Sequence, residues 1–209
     1  MKRLLHVKVV HDSVFRDLKS GAEQTERYHR ELEKYYDDIV IEGVLRFNDS
    51  YNFNRVYAEG YTGDFLEEEK IKNGLGIIYK PVRVLVQMGV ELTKTEHYLS
   101  RLIGSILKEE FQYDFFKVIK KLSNIPLEKI IEIFSQFTTK EYLSEFFHGL
   151  STFDFNAARE NWMGRNIEST LRDGEAGIIF IGKGHSEERI RAVLTNTDYK
   201  VIDLFDKIL

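Results

Sequence analysis

The chain contains no cysteine. Disulfides and thiolate-held metals are therefore excluded, and any ion must be bound by His, Asp, Glu or backbone oxygen. Only two prolines occur, while Ile, Lys and Glu are abundant, a composition that points toward a thermophile or an AT-rich genome. Apolar runs of membrane-spanning length are missing. The stretch after Met1-Lys2-Arg3 is too short for a signal peptide and contains His6 and Lys8, so a cytoplasmic protein with no membrane partner is expected. A basic excess is missing too. The net charge of −4 argues against a general nucleic-acid binder, whose footprint is positive. Gly182-Lys183-Gly184 lacks both the Ser/Thr that follows lysine in a phosphate loop and the third glycine of a dinucleotide fingerprint.

What is present suffices for a full core: 43% of the 209 residues are hydrophobic and 13% aromatic. The grammar is α/β, with a mostly parallel central sheet flanked by helices. Leu4–Val10 reads as a first strand, ended by His11-Asp12-Ser13. Ser20–Tyr36 reads as a charged helix, with Ser20 and Glu23 spaced as a capping box. Asp38–Val44 reads as a second strand. Residues 48–64 form an aromatic-rich loop with a short strand near Val56. Helices are expected over Glu67–Asn73, closed by Gly74, and over Pro81–Met88, with a weak strand at Val90–Leu92. From Tyr98 to Leu150 apolar residues keep helical spacing (Leu99, Leu102, Ile103, Ile106), and strand signals are few. This block is expected to be a helical insertion or lid within a single domain spanning residues 1–209. Asn156–Leu171 reads as a helix, Gly177–Ile181 as a buried strand, Ser186–Leu194 as a helix and Tyr199–Leu204 as a closing strand.

Three polar groups follow strand-like runs, where ligands gather in open α/β sheets. His185 stands on the turn after Gly177–Ile181, made sharp by Gly182 and Gly184. His11 ends the first strand; a satisfied turn histidine is the plain alternative. Glu42 follows Ile39-Val40-Ile41, and an ionised carboxylate in a buried run needs a partner, a metal or a raised pKa. A salt bridge at the sheet rim is its alternative. Arg159 shares a helix stripe with Met163 and Ile167, where arginine anchors a carboxylate or an anion. Glu96, Tyr57 and Glu59 could join the site. His6 reads as core or lining. The Phe and Tyr stripes between Phe111 and Phe155 read as helix core. Gathered on one sheet edge, His11, Glu42 and His185 make a plausible divalent-metal site, with bound water as nucleophile and Arg159 neutralising developing charge. Without metal, the same trio suits general acid–base catalysis.

These motifs resemble the TraB/Tiki superfamily, related to ChaN-like proteins and erythromycin esterases, and specifically an uncharacterised prokaryotic branch. The likeness rests on the histidine turn after the first strand, the acidic residue in Asp38-Ile39-Val40-Ile41-Glu42-Gly43, Arg159-Glu160-Asn161, and Gly182-Lys183-Gly184-His185. It covers both ends of the chain and only weakly the helical middle. The chain departs from the pattern in lacking the glycine three residues before the first histidine, and in Glu160 where Asn or Asp is usual. The resemblance implies a central sheet with a helical insertion, a site of His11, Glu42, Arg159 and His185, and an ion (Mn, Co or Zn) held by His11, Glu42 and His185. The expected function is a hydrolase, metal-assisted, that cleaves an ester, amide or phosphoester bond in a small-molecule or peptide substrate. The alternative is a non-catalytic module that binds a small anion through Arg159. Under either, an aromatic helical face could support a homodimer.

Overall fold

A run that is apolar on both faces can only be a central strand covered on both sides, and Ala176–Gly182 is such a run. In the computed structural model, which describes residues 1–10, 22–73, 76–111 and 115–204, it is strand β4, buried along its whole length. Numbered in chain order with it, the sheet comprises β1 (Lys2–Val9), β2 (Arg55–Ala58), β3 (Glu91–Thr93) and β5 (Thr197–Asp203). The order is β3-β2-β4-β1-β5 and every pairing is parallel. The expected α/β class with a parallel sheet is thus what the chain forms.

The chain divides into two compact units, one of Met1–Thr95, Ile167–His185 and Thr195–Leu209, the other of Glu96–Asn166 and Ser186–Leu194. The first holds the sheet with helices α1 (Ala22–Tyr35), α2 (Glu42–Tyr51), α3 (Phe65–Lys72) and α4 (Lys80–Gln87). Strand period sorts β1 cleanly. Leu5, Val7 and Val9 join Val56, Ala58, Ile178 and Phe180 in a core shared with Tyr36, Val40, Val44, Val82 and Leu85. Leu4, His6 and Lys8 alternate to the other face, in register with Gly177, Ile179 and Ile181. There Tyr57, aligned with Ile179, meets Thr170 through their hydroxyls at 2.9 Å.

One expected strand is absent. Asp38–Val44 is helical: a π-helical turn, Tyr36–Ile41, joins α1 to α2. The β-branched triplet Ile39-Val40-Ile41 favours a strand locally. Tertiary packing overrides it, because Tyr36, Val40 and Val44 are buried four residues apart while Ile39 is 46% exposed. That is helix spacing.

The second unit contains α5 (Tyr98–Phe111), α6 (Phe115–Leu122), α7 (Leu127–Phe134), α8 (Lys140–Phe146) and α10 (Glu187–Ala192), with most of α9 (Phe155–Thr170). The helical stretch read at residues 98–150 belongs here. Five of the aromatics expected as core are so, since Phe134, Phe146, Phe147, Phe153 and Phe155 pack with Leu99, Ile103 and Leu107, whereas Phe137 and Tyr142 are exposed. Gly164 lets α9 pass close to α10, since a Cβ there would meet the Ile190 carbonyl oxygen at 2.7 Å. Among the described residues no helix is long and apolar enough to cross a membrane.

Candidate functional site

β2 and β4 are neighbours, and the chain leaves their carboxyl ends in opposite directions, toward β3 and toward β5. Such a switch point opens a crevice above the strand ends. His185 is placed there by a tight turn after β4, closed by its own N–H donating to the Gly182 carbonyl at 3.1 Å. The Lys183 N–H continues the ladder to the Val9 carbonyl at 3.1 Å. The Lys183 ammonium pairs with Asp203 at the end of β5 at 3.0 Å. The glycines on either side of Lys183 let this backbone turn within three residues.

Glu59 directly follows β2 and is fixed along its whole length. Its N–H donates to the Phe180 carbonyl at 2.9 Å, and its carbonyl accepts from the Tyr79 hydroxyl at 3.0 Å. Gly60, at φ +82°, turns the chain away; a Cβ there would meet the Tyr79 hydroxyl at 3.1 Å. The side chain is held as firmly. Oε2 accepts from the Gly182 N–H at 2.7 Å, and Oε1 lies 2.9 Å from His185 Nε2. The two side chains are only 8% and 11% exposed, so this charge-assisted contact is little screened. An ionised carboxylate only accepts, which puts the imidazole proton on Nε2 and the ring lone pair on Nδ1.

His6 belongs to the same unit and the same sheet face as Ile179. It is 1% exposed. Its Nδ1 lies 2.6 Å from the Tyr199 hydroxyl, and its Nε2 is buried with no hydrogen-bond partner among the described residues. Burial pushes the His6 pKa down to about 4; the charge of Lys8, and that of His185 when its ring is protonated, lowers it further, and Glu59 opposes them. The imidazole is therefore neutral at physiological pH. Tyr57, nearby on this face by register, has its phenol raised to about 12 by burial.

In the second unit Arg159 anchors a carboxylate, as its place on a buried stripe with Met163 and Ile167 implied. Nε and Nη2 donate to the two oxygens of Glu96 at 3.0 and 2.6 Å, and the Glu96 side chain is 2% exposed. Glu160, also buried, accepts from the Ser186 N–H at 2.8 Å and from Arg189 at 3.2 Å. This carboxylate satisfies one of the orphan donors at the start of α10.

The sequence-derived trio separates as follows. His185 stands at a strand end. His11, with Asp12, Ser13, Ser20 and Gly74, lies outside the described residues. Glu42 is in the first turn of α2, not at the end of a strand, 59% exposed and paired with Arg46 at 2.5 Å. The misread strand placed it wrongly. The acid that meets His185 is Glu59, weighed from the sequence only as an addition to the site. Its signal is the apolar triplet Val56-Tyr57-Ala58 ended by Glu-Gly. Tyr199 was not singled out, because a tyrosine in an edge strand has no local mark of function.

Among the described residues no group of three His, Asp or Glu side chains could hold a metal ion. Both Glu59 oxygens are already engaged, by Gly182 and by His185. These residues alone do not fit the expected divalent cation, and no chemical step below is routed through one. What fold and site define is a parallel α/β protein with a buried His–Glu pair at its switch point. No family model, curated protein or solved structure matches the chain.

Proposed function

We propose that this protein is a hydrolase whose reacting group is His185, oriented by Glu59. The reading is carried by one observation: a nearly dry imidazole bonded at 2.9 Å to a carboxylate that a backbone N–H also holds at 2.7 Å. Such a carboxylate fixes the tautomer and stabilises the imidazolium. In this reading Nδ1 takes a proton from a water molecule as the water oxygen attacks the acyl carbon. The imidazolium, paired with Glu59, then returns that proton to the leaving oxygen or nitrogen. General base action of this kind contributes about 10² to 10⁴ in rate. A metal-assisted version, as the TraB/Tiki resemblance implies, would need ligands from beyond the described residues, His11 first among them.

The rival anion-binding module is supported less well. It needs the Arg159 guanidinium, which is bonded through two nitrogens to buried Glu96. The test is turnover of p-nitrophenyl acetate and butyrate by the purified chain. Hydrolysis above the buffer rate that disappears in His185→Ala supports the proposal. Equal rates in the variant, or no turnover by the unaltered protein, overturn it.

A further inference from the structure

The buried edge of His6 is not used by the reaction just described. A polar ring atom shut away from water without a partner among the described residues costs stability, and a bound molecule that accepts from it would remove that cost. The ring's other nitrogen shows which kind of atom is missing. Phenol is a stronger acid than a neutral imidazole N–H, and the imine nitrogen is a stronger base than a phenol oxygen. Across the 2.6 Å contact the Tyr199 hydroxyl therefore donates to Nδ1. That leaves the proton on Nε2. His6 thus presents a buried donor, on the sheet face opposite the main core of its unit, electrostatically coupled to both members of the His185–Glu59 pair.

We propose that His6, held in its Nε2–H tautomer by Tyr199, donates a hydrogen bond to the carbonyl oxygen of an acyl substrate and to the oxyanion formed when water adds. A neutral imidazole suits this role: it polarises the oxygen without competing for the proton that His185 must move. The choice of an acyl compound over a phosphoester follows, since a phosphoryl group carries charge that a single neutral donor does not balance. The substrate class rests on the hydrolase reading; the tautomer and the donor do not.

The experiment uses the full chain with 15N-labelled histidine. Long-range 1H–15N spectra at about pH 7 should show His6 as the Nε2–H tautomer, while Nδ1–H or a mixture overturns the proposal. Butaneboronic acid, whose hydrated borate resembles the water adduct of an ester, should shift the His6 Nε2–H resonance; an unmoved resonance overturns it. In p-nitrophenyl butyrate hydrolysis His6→Phe should lower kcat about a hundredfold with KM within about twofold, and His6→Gln, which keeps an amide donor, should recover part of the loss. If His6→Phe fails to fold, Tyr199→Phe replaces it and should lower kcat roughly tenfold; an unchanged kcat overturns the proposal. Should the unaltered protein turn over no ester, the hydrolase reading falls. The spectra and the boronate titration then still decide for or against the donor.

Discussion

His6 makes the stability of this protein fall on mild acidification, by an amount that its burial sets. Folded, its pKa lies at about 4, against 6.5 for an unhindered histidine, because an imidazolium would lose its hydration in the sheet. Above pH 6.5 the ring is neutral in both states and contributes no pH dependence. Between 6.5 and 4 the unfolded chain binds a proton that the folded one refuses, so stability drops as pH falls. Each pH unit in that window is worth about 1.4 kcal/mol, so roughly 2 kcal/mol disappears between about pH 7 and about pH 5. The groups setting this are Lys8 and His185, which oppose protonation, and Glu59, which favours it; Tyr199 holds Nδ1. Urea denaturation at the two pH values, on the natural chain and on His6→Gln, isolates the effect because the other titrating groups are common to both. The natural chain should lose about 2 kcal/mol more than the variant. Parallel losses would refute a buried neutral histidine at this position.

Two further outcomes follow from packing in the helical unit. Glu96→Ala leaves the Arg159 guanidinium without its main buried partner and should cost about 3–5 kcal/mol, whereas Glu96→Leu combined with Arg159→Met should recover most of it. Trp162, the only tryptophan, packs edge-on to His97 at 4.4 Å, so its fluorescence reports this unit in denaturation. A single variant as stable as the natural chain would contradict the pairing. Gly164→Ala pushes a methyl against the Ile190 carbonyl. Overpacking of roughly 1–3 kcal/mol outweighs the gain in helix propensity, about 1 kcal/mol, so the midpoint should fall; a rise would show that α9 and α10 can separate without cost.

The legible parts of this chain are those where a local pattern and the packed structure demand the same thing. Ala176–Gly182 is apolar on every side because the centre of a parallel sheet is, and Ser186 with Glu187 and Glu188 marks the start of α10 by capping chemistry. Pro81 in the first turn of α4 and Gly89 at φ +91° bracket that helix as expected. Ile39-Val40-Ile41 misleads because three residues are too few to separate a period of two from one of 3.6. Widened to Tyr36, Val40 and Val44, the pattern is helical. The site was half legible. His185 is announced by the glycines around it, but its partner Glu59 comes from a four-residue strand whose connection to β4 is visible only in the sheet order. Pairing distant strand ends is a property of topology, and no local period encodes it.

The most direct measurement is the rate of p-nitrophenyl butyrate hydrolysis by Glu59→Gln. The amide can still accept from the Gly182 N–H, but it turns its NH₂ toward His185 and drives the ring proton from Nε2 to Nδ1, where the reacting lone pair must be. The equivalent change beside the imidazole of a serine protease costs about 10⁴ in kcat. A fall of roughly a thousandfold or more, with urea unfolding showing a folded variant, is the predicted result. Activity retained within about tenfold would contradict the claim that Glu59 sets His185 as the base.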